Sequence, residues 1–197
     1  MNKNLEQRGV KSWYNGFKRI SNFMNIDENI INETKSNEIK MIMKNLYKKT
    51  WEEERRKQLL NGKLLSYAEI KTKNCFEQYL GIENMNIRKA ITKIRISAHK
   101  FPIETGRYEG KTRDDRICPL CCDGIGDEKH YIFECDNGVI KDIREECTKI
   151  IYKKSPQLKL LDINDKFKYI LICGDESIMK DIGILFLRIQ KEFENNI

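Results

Sequence analysis

Apolar residues recur at three- and four-residue spacing along most of this chain, a period that predicts helices rather than strands. Trp13, Phe17, Ile20 and Met24, separated by Lys18, Arg19 and Asn22, predict a short amphipathic helix. An Asn- and Asp-rich stretch from Asn25 to Lys35 reads as irregular. Ser36-Asn37-Glu38 is then a helix start signal. The longest helix is expected over about Asn37 to Leu60, with Ile39, Ile42, Met43, Leu46, Thr50 and Trp51 as its stripe and Asn61-Gly62 as its stop. Glu52–Arg56 and Glu53–Lys57 are spaced to support it as i,i+4 pairs. Trp13 and Trp51 are expected in a core.

Leu64 to Thr72 fits either a short strand or the start of a helix. Asn86 to His99 predicts a helix with Ile87, Ala90, Ile91, Ile94 and Ala98 on one face and Arg88, Lys89, Lys93 and Arg95 on the others. Phe101-Pro102 is expected to stop it, and Thr105-Gly106-Arg107-Tyr108 to form a turn. Val139 to Tyr152 predicts a further helix, broken at Ser155-Pro156. Phe167 to Cys173 is short and strongly apolar, and Ile178 to Phe193 is a last amphipathic helix. The fold class is therefore mostly α, in three segments: 1–62, 63–154 and 155–197.

One stretch breaks the helical period. Between Arg116 and Cys135 the chain reads C-x2-C-x8-H-x4-C, with Cys118, Cys121, His130 and Cys135 at the four positions. Two thiolates on a Cys-Pro-Leu-Cys turn, closed by an imidazole and a third thiolate, are the donor set of a structural zinc site. Chance is the competing reading, since the chain has seven cysteines. Against it, all four donors fall within eighteen residues, and one of only two histidines stands in the right place. Cys122 is an alternative to Cys121, disfavoured because Pro119 shapes the shorter turn. The picture becomes a helical domain with an embedded CCHC zinc knuckle, its cofactor Zn2+. Cys75, Cys147 and Cys173 lie among apolar residues and are expected in the core. His99, near a helix end, is expected to be structural.

Charge adds an asymmetry. Residues 1–114 hold 24 Lys and Arg against 14 Asp and Glu, whereas residues 115–197 hold 13 against 16. The densest basic stretch, Arg88 to Arg113, runs into the knuckle and nominates Arg95, Lys100, Arg107, Lys111 and Arg113 as contacts to RNA or DNA phosphates. A solvated helix face is the plain alternative. The knuckle itself, with Asp123, Asp127, Glu128 and Glu134 against Lys129, would repel phosphate, which suits a scaffold or protein-interaction module instead. The first residues lack a signal peptide's apolar core, and no apolar run approaches a membrane span. With an odd number of cysteines, reduced thiols in an intracellular setting are expected.

Two of these segments together resemble a known family. The run from Lys93 to Tyr108, containing Ile-Glu-Thr-Gly-Arg-Tyr, is followed by Asp115-Arg-Ile-Cys-Pro-Leu-Cys121 and Asp127-Glu-Lys-His-Tyr-Ile-Phe-Glu-Cys135. This order resembles the region C-terminal to the polymerase in non-LTR, LINE-type retrotransposon proteins, over about Leu64 to Arg144. The resemblance implies a zinc-binding segment that helps a reverse transcriptase hold nucleic acid, with RNA or DNA and a reverse transcriptase polypeptide as partners and a nuclear setting. Cys118, Cys121, His130 and Cys135 match the family's ligands. Polymerase carboxylates are not expected here, since the single Asp-Asp pair, Asp114-Asp115, has no flanking apolar strand to place it on a hairpin. The chain is therefore expected to be non-catalytic, a piece of a longer element.

Overall fold

The computed structural model describes residues 21–22, 36–61 and 65–196. The predicted helix over Trp13 to Met24 lies almost wholly outside the described residues. The chain divides into two units, Met1–Lys57 and Gln58–Ile197. Among the described residues the fold is helical, and the one β feature is an isolated antiparallel bridge between Ile117 and Ile125.

Helix α1, Ser36–Asn61, crosses the boundary between the units. Within it Ile42, Met43, Leu46, Thr50 and Trp51 are half-buried, while Lys40, Lys44, Lys48 and Glu52 are exposed. From Ile42 to Trp51 the predicted stripe is the one the helix uses; the Ile39 side chain lies outside those described. Its surface pairs differ from expectation. Lys57 reaches Glu54 at 2.7 Å rather than Glu53, and Arg56 donates to the Glu52 carbonyl rather than its carboxylate. Such exposed contacts interchange at little cost.

The second unit is built around its last helix. The elements that precede it are α2 (Leu65–Ile70), a 3-10 turn (Gln78–Gly81), α3 (Met85–Arg95), α4 (Pro102–Tyr108), a π-helical turn (His130–Glu134), α5 (Gly138–Lys154), a second 3-10 turn (Pro156–Leu160) and α6 (Ile163–Ile172). Helix α7, Glu176–Asn195, then packs between α3 and α5. Its buried face carries Ile178, Ile182, Leu185, Phe186, Ile189 and Phe193. Contact with α3 is close because Gly183 lacks a side chain; a Cβ there would stand 2.3 Å from Ile87 Cγ2 and 2.9 Å from Ile91 Cδ1. Gln190 seals the crossing by donating to the Ala90 carbonyl.

Asn and Asp start four of these helices by accepting from amides of the first turn: Asn84 for α3, Asn137 for α5, Asp162 for α6 and Asp175 for α7. Of the stretch that fitted either a strand or a helix, Leu65–Ile70 is helix, and the apolar stretch from Phe167 becomes the end of α6.

Two expectations are corrected around Pro102. The basic helix ends at Arg95, well before the proline, and Pro102 opens α4 instead of closing α3. A proline at the first helical position gives up an amide that has no helical partner anyway. The Thr105–Tyr108 turn is accordingly the second half of α4. Gly106 within it leaves room for Arg116, whose Cγ would sit 2.7 Å from an added Cβ. Cys75 is also corrected: it is exposed, whereas Cys147 and Cys173 are buried as expected.

Candidate metal centre

Local backbone and side-chain bonds bring the expected ligands together. Arg116, Cys118 and the glycines Gly124 and Gly126 form a tight hairpin, with Cys118 N–H donating to Gly124 C=O and Gly126 N–H to Arg116 C=O. Its turn uses left-handed residues, Cys122 at φ 57° and Gly124 at φ 69°. Asp127 then begins the short helical segment holding the histidine, its Oδ1 accepting from the His130 amide at 3.0 Å. Finally Cys135 N–H returns to the His130 carbonyl, and Arg144 of α5 donates to the Cys135 carbonyl.

The result is a cluster of Cys118, Cys121, His130 and Cys135 whose ligand atoms all lie within 4.8 Å of one another, a group able to hold a metal ion. Cys118 Sγ and Cys135 Sγ are 3.9 Å apart, and Cys121 Sγ is 3.2 Å from His130 Nε2. Cys118, His130 and Cys135 are buried and Cys121 is half-buried. Cys122, the alternative ligand, is exposed and outside the cluster. Its left-handed backbone turns the chain between Cys121 and Asp123.

The surroundings make the thiols unequal. Burial pushes the Cys118 thiol up, but the Tyr131 hydroxyl and the amides of Cys121 and Leu120 outweigh it and leave the thiol below its ordinary value. Cys135 is pushed up to about 12, by burial first and by the neighbouring Cys118 and Cys121 sulfurs, against an opposing Asn137 amide. A cation bound among these sulfurs would offset the charge of their thiolates. The Tyr131 hydroxyl is buried and acts on Cys118 without completing a hydrogen bond of good geometry. Its ring packs 4.3 Å from Phe101 and 5.1 Å from Phe193, which ties the cluster to the end of α7.

His99 fulfils its structural expectation. It is buried, its Nδ1 accepts from the Phe101 amide, and its Nε2 lies 2.8 Å from Glu128 Oε1. Ser97, at φ 48°, donates to the same carboxylate oxygen. Burial would raise Glu128, but its bonds to His99 and Ser97 hold it below the usual carboxylate range. The segment after α3 is thus clamped to a residue two places before the histidine ligand.

The nominated basic residues separate into two kinds. Arg95 is 3% exposed, packed 5.0 Å over the Tyr79 ring and paired with Glu77 at 2.9 Å, so it is withdrawn from the surface set. Its place on α3 follows Ile91 by four residues and puts it on the apolar stripe. The other four are at the surface, each with a carboxylate partner: Lys100 with Glu194 at 3.9 Å, Arg107 with Glu104 at 3.4 Å, Lys111 with Glu109 at 2.7 Å and Arg113 with Asp127 at 3.1 Å. Lys100 and Lys111 line one cleft of about 360 Å³ together with Arg116, Ile117 and Pro119.

Arg116 was not singled out from the sequence. All its hydrogen bonds go to carbonyls, of Ile103 and Lys111, so it fixes the cleft wall. Asp127 was readable as a helix start signal three residues before His130; Tyr131 carried no signal of its own.

No family model matches this chain, and neither does any curated protein or solved structure. Among the described residues, no helix is long and apolar enough to cross a membrane.

Proposed function

We propose that the cluster holds one Zn2+ as a structural centre, and that the loop it fixes presents Lys100, Arg107, Lys111 and Arg113 to the phosphate backbone of RNA or DNA. Tetrahedral Zn–S bonds of about 2.3 Å place two sulfurs about 3.8 Å apart, which agrees with the 3.9 Å between Cys118 and Cys135. Cys3His supplies four protein ligands and leaves no open position for a reactive water, so the centre shapes the protein and hydrolyses nothing.

The observation that carries the binding reading is the cleft beside the hairpin, where Lys100, Lys111 and Arg116 converge. Carboxylates already engage the surface cations, but exposed pairs of this kind contribute about 0–1 kcal/mol and yield readily to a phosphate. Lys100 and Arg113 keep side-chain exposures of 65% and 62% even when paired. The resemblance of residues 64–144 to the post-polymerase region of retrotransposon proteins supports the same class of partner, with a reverse transcriptase polypeptide beside it. In this reading the protein is a non-catalytic accessory.

A second reading, a zinc-stabilised scaffold that touches no nucleic acid, draws on the same carboxylates. Fluorescence anisotropy over a salt series separates the two. Four phosphate contacts give a slope of log K against log salt of about −3 to −4. Lys100→Glu with Arg107→Glu and Lys111→Glu should bring that slope close to −1 while circular dichroism stays unchanged. A zinc-loaded, folded parent that binds none of single- or double-stranded RNA or DNA overturns the binding reading and leaves the scaffold.

A further inference from the structure

A second cavity is lined by residues that the metal centre and the basic surface do not use. Cys75, Phe76, Glu77, Gln78 and Tyr79 form one wall, Leu171 to Gly174 and Met179 another, and Arg95 closes it. Its volume is about 250 Å³, below the roughly 300–1,000 Å³ of pockets for drug-sized ligands. It therefore suits something small.

Arg95 is the unusual member. Its Nη2 donates to Glu77 Oε2, whose other oxygen lies 2.6 Å from Lys71 Nζ. Glu77 is thus shared, and Arg95 holds a single carboxylate oxygen. Its Nε is buried and has no hydrogen-bond partner. Tyr79 and Tyr67, 5.0 and 5.8 Å from the guanidinium carbon, contribute ring faces but no acceptor for that N–H. A buried guanidinium with an orphan donor calls for a further acceptor, because an unmet donor there forfeits the water it left. The planar fork of an arginine matches a two-oxygen anion best.

We propose that this cavity is a binding site for a small oxyanion, its charged head on Arg95 and any apolar body against Phe76, Leu171, Ile172 and Met179. Carboxylate and phosphate share the necessary chemistry, and the apolar walls distinguish them: a short-chain carboxylate uses the walls, inorganic phosphate does not. The site is independent of the metal cluster and of the nucleic-acid surface, since none of its lining residues belongs to either.

The test titrates full-length, zinc-loaded protein with hexanoate, with inorganic phosphate and with hexanol, following backbone amide shifts by NMR. Saturable shifts of the Gln78 and Gly174 amides are expected with hexanoate or phosphate, at a Kd near or below about 1 mM. Whichever binds identifies the head-group source. Arg95→Met should lose binding at least tenfold, and Arg95→Lys should recover part of it. Because Arg95 is buried, a second variant, Cys75→Trp, fills the cavity from an exposed position and should abolish the same shifts without touching the charge. Hexanol binding as well as hexanoate shows a merely apolar hole and overturns the proposal. So does an absence of saturable shifts with either anion, or unchanged affinity in a folded Arg95→Met.

Discussion

Two polar clusters lie within the second unit, and they are assembled in opposite ways. Cys118, Cys121, His130 and Cys135 come from one continuous stretch, and a hairpin and one helical turn are enough to gather them. Lys71, Glu77 and Arg95 come from the end of α2, a loop and the last turn of α3, and meet only because α3 is docked. The first cluster could hold a metal ion among its sulfurs and imidazole. The second sets one carboxylate, Glu77, against the two cations Lys71 and Arg95. Local clusters of this kind are built by chain geometry, distributed ones by packing, and their failures should differ accordingly.

The largest expected effect is loss of a ligand at the local cluster. Cys118→Ser should abolish stoichiometric metal in elemental analysis and destabilise by more than about 4 kcal/mol, as metal loss does. At about 2–4 °C per kcal/mol for a chain of this size, the melting temperature should fall by more than about 8 °C. A variant that retains metal and melts like the parent removes the cluster's structural role. Chelation of the parent should reproduce the variant's melting curve.

Next comes the distributed cluster. Glu77→Gln strands the buried Arg95 without its carboxylate and should cost about 3–5 kcal/mol in urea unfolding, with metal content unchanged. Metal loss alongside destabilisation would show that the two clusters are not independent.

The clamp between them sharpens the contrast further. Glu128 joins Ser97 and His99 to the metal loop, and replacing it should cost about 1–3 kcal/mol at neutral pH. Its folded value is lowered, so its contribution is complete above the unfolded glutamate value of about 4.3 and is lost as pH falls through the lower folded value. The stability gap between parent and Glu128→Gln should stay constant from pH 7 to about 5 and close only below about 4. A gap that closes near neutrality would assign the effect to some other group.

The smallest effect belongs to the exposed pairs. Lys111→Ala breaks the Lys111–Glu109 contact, which lies at the surface, and should change stability by less than about 1 kcal/mol. A larger loss would mean that Lys111 fixes the cleft rather than decorating it.

Periodicity made the helices readable because one face of each is apolar at three- and four-residue spacing, as in α7 from Ile178 to Phe193. The Cys3His cluster was equally readable, since all four residues lie within eighteen positions and local turns alone can join them. Pro102 was misread because a proline between helical patterns can end one helix or begin the next, and only the backbone chooses. Arg95 was misread for a different reason. Its charge suggested water, but its position on α3 is an inward one, and the partner that makes burial tolerable stands 18 residues back at Glu77.

The sequence by itself determined the helical class, the stripes that pack and the donor set of the metal cluster, all properties encoded within a few turns of chain. Only the tertiary structure decided which cations reach solvent, that Cys121 and not Cys122 joins the cluster, and that Arg95 lines a cavity. Those outcomes depend on which distant residues meet, and no local spacing records them.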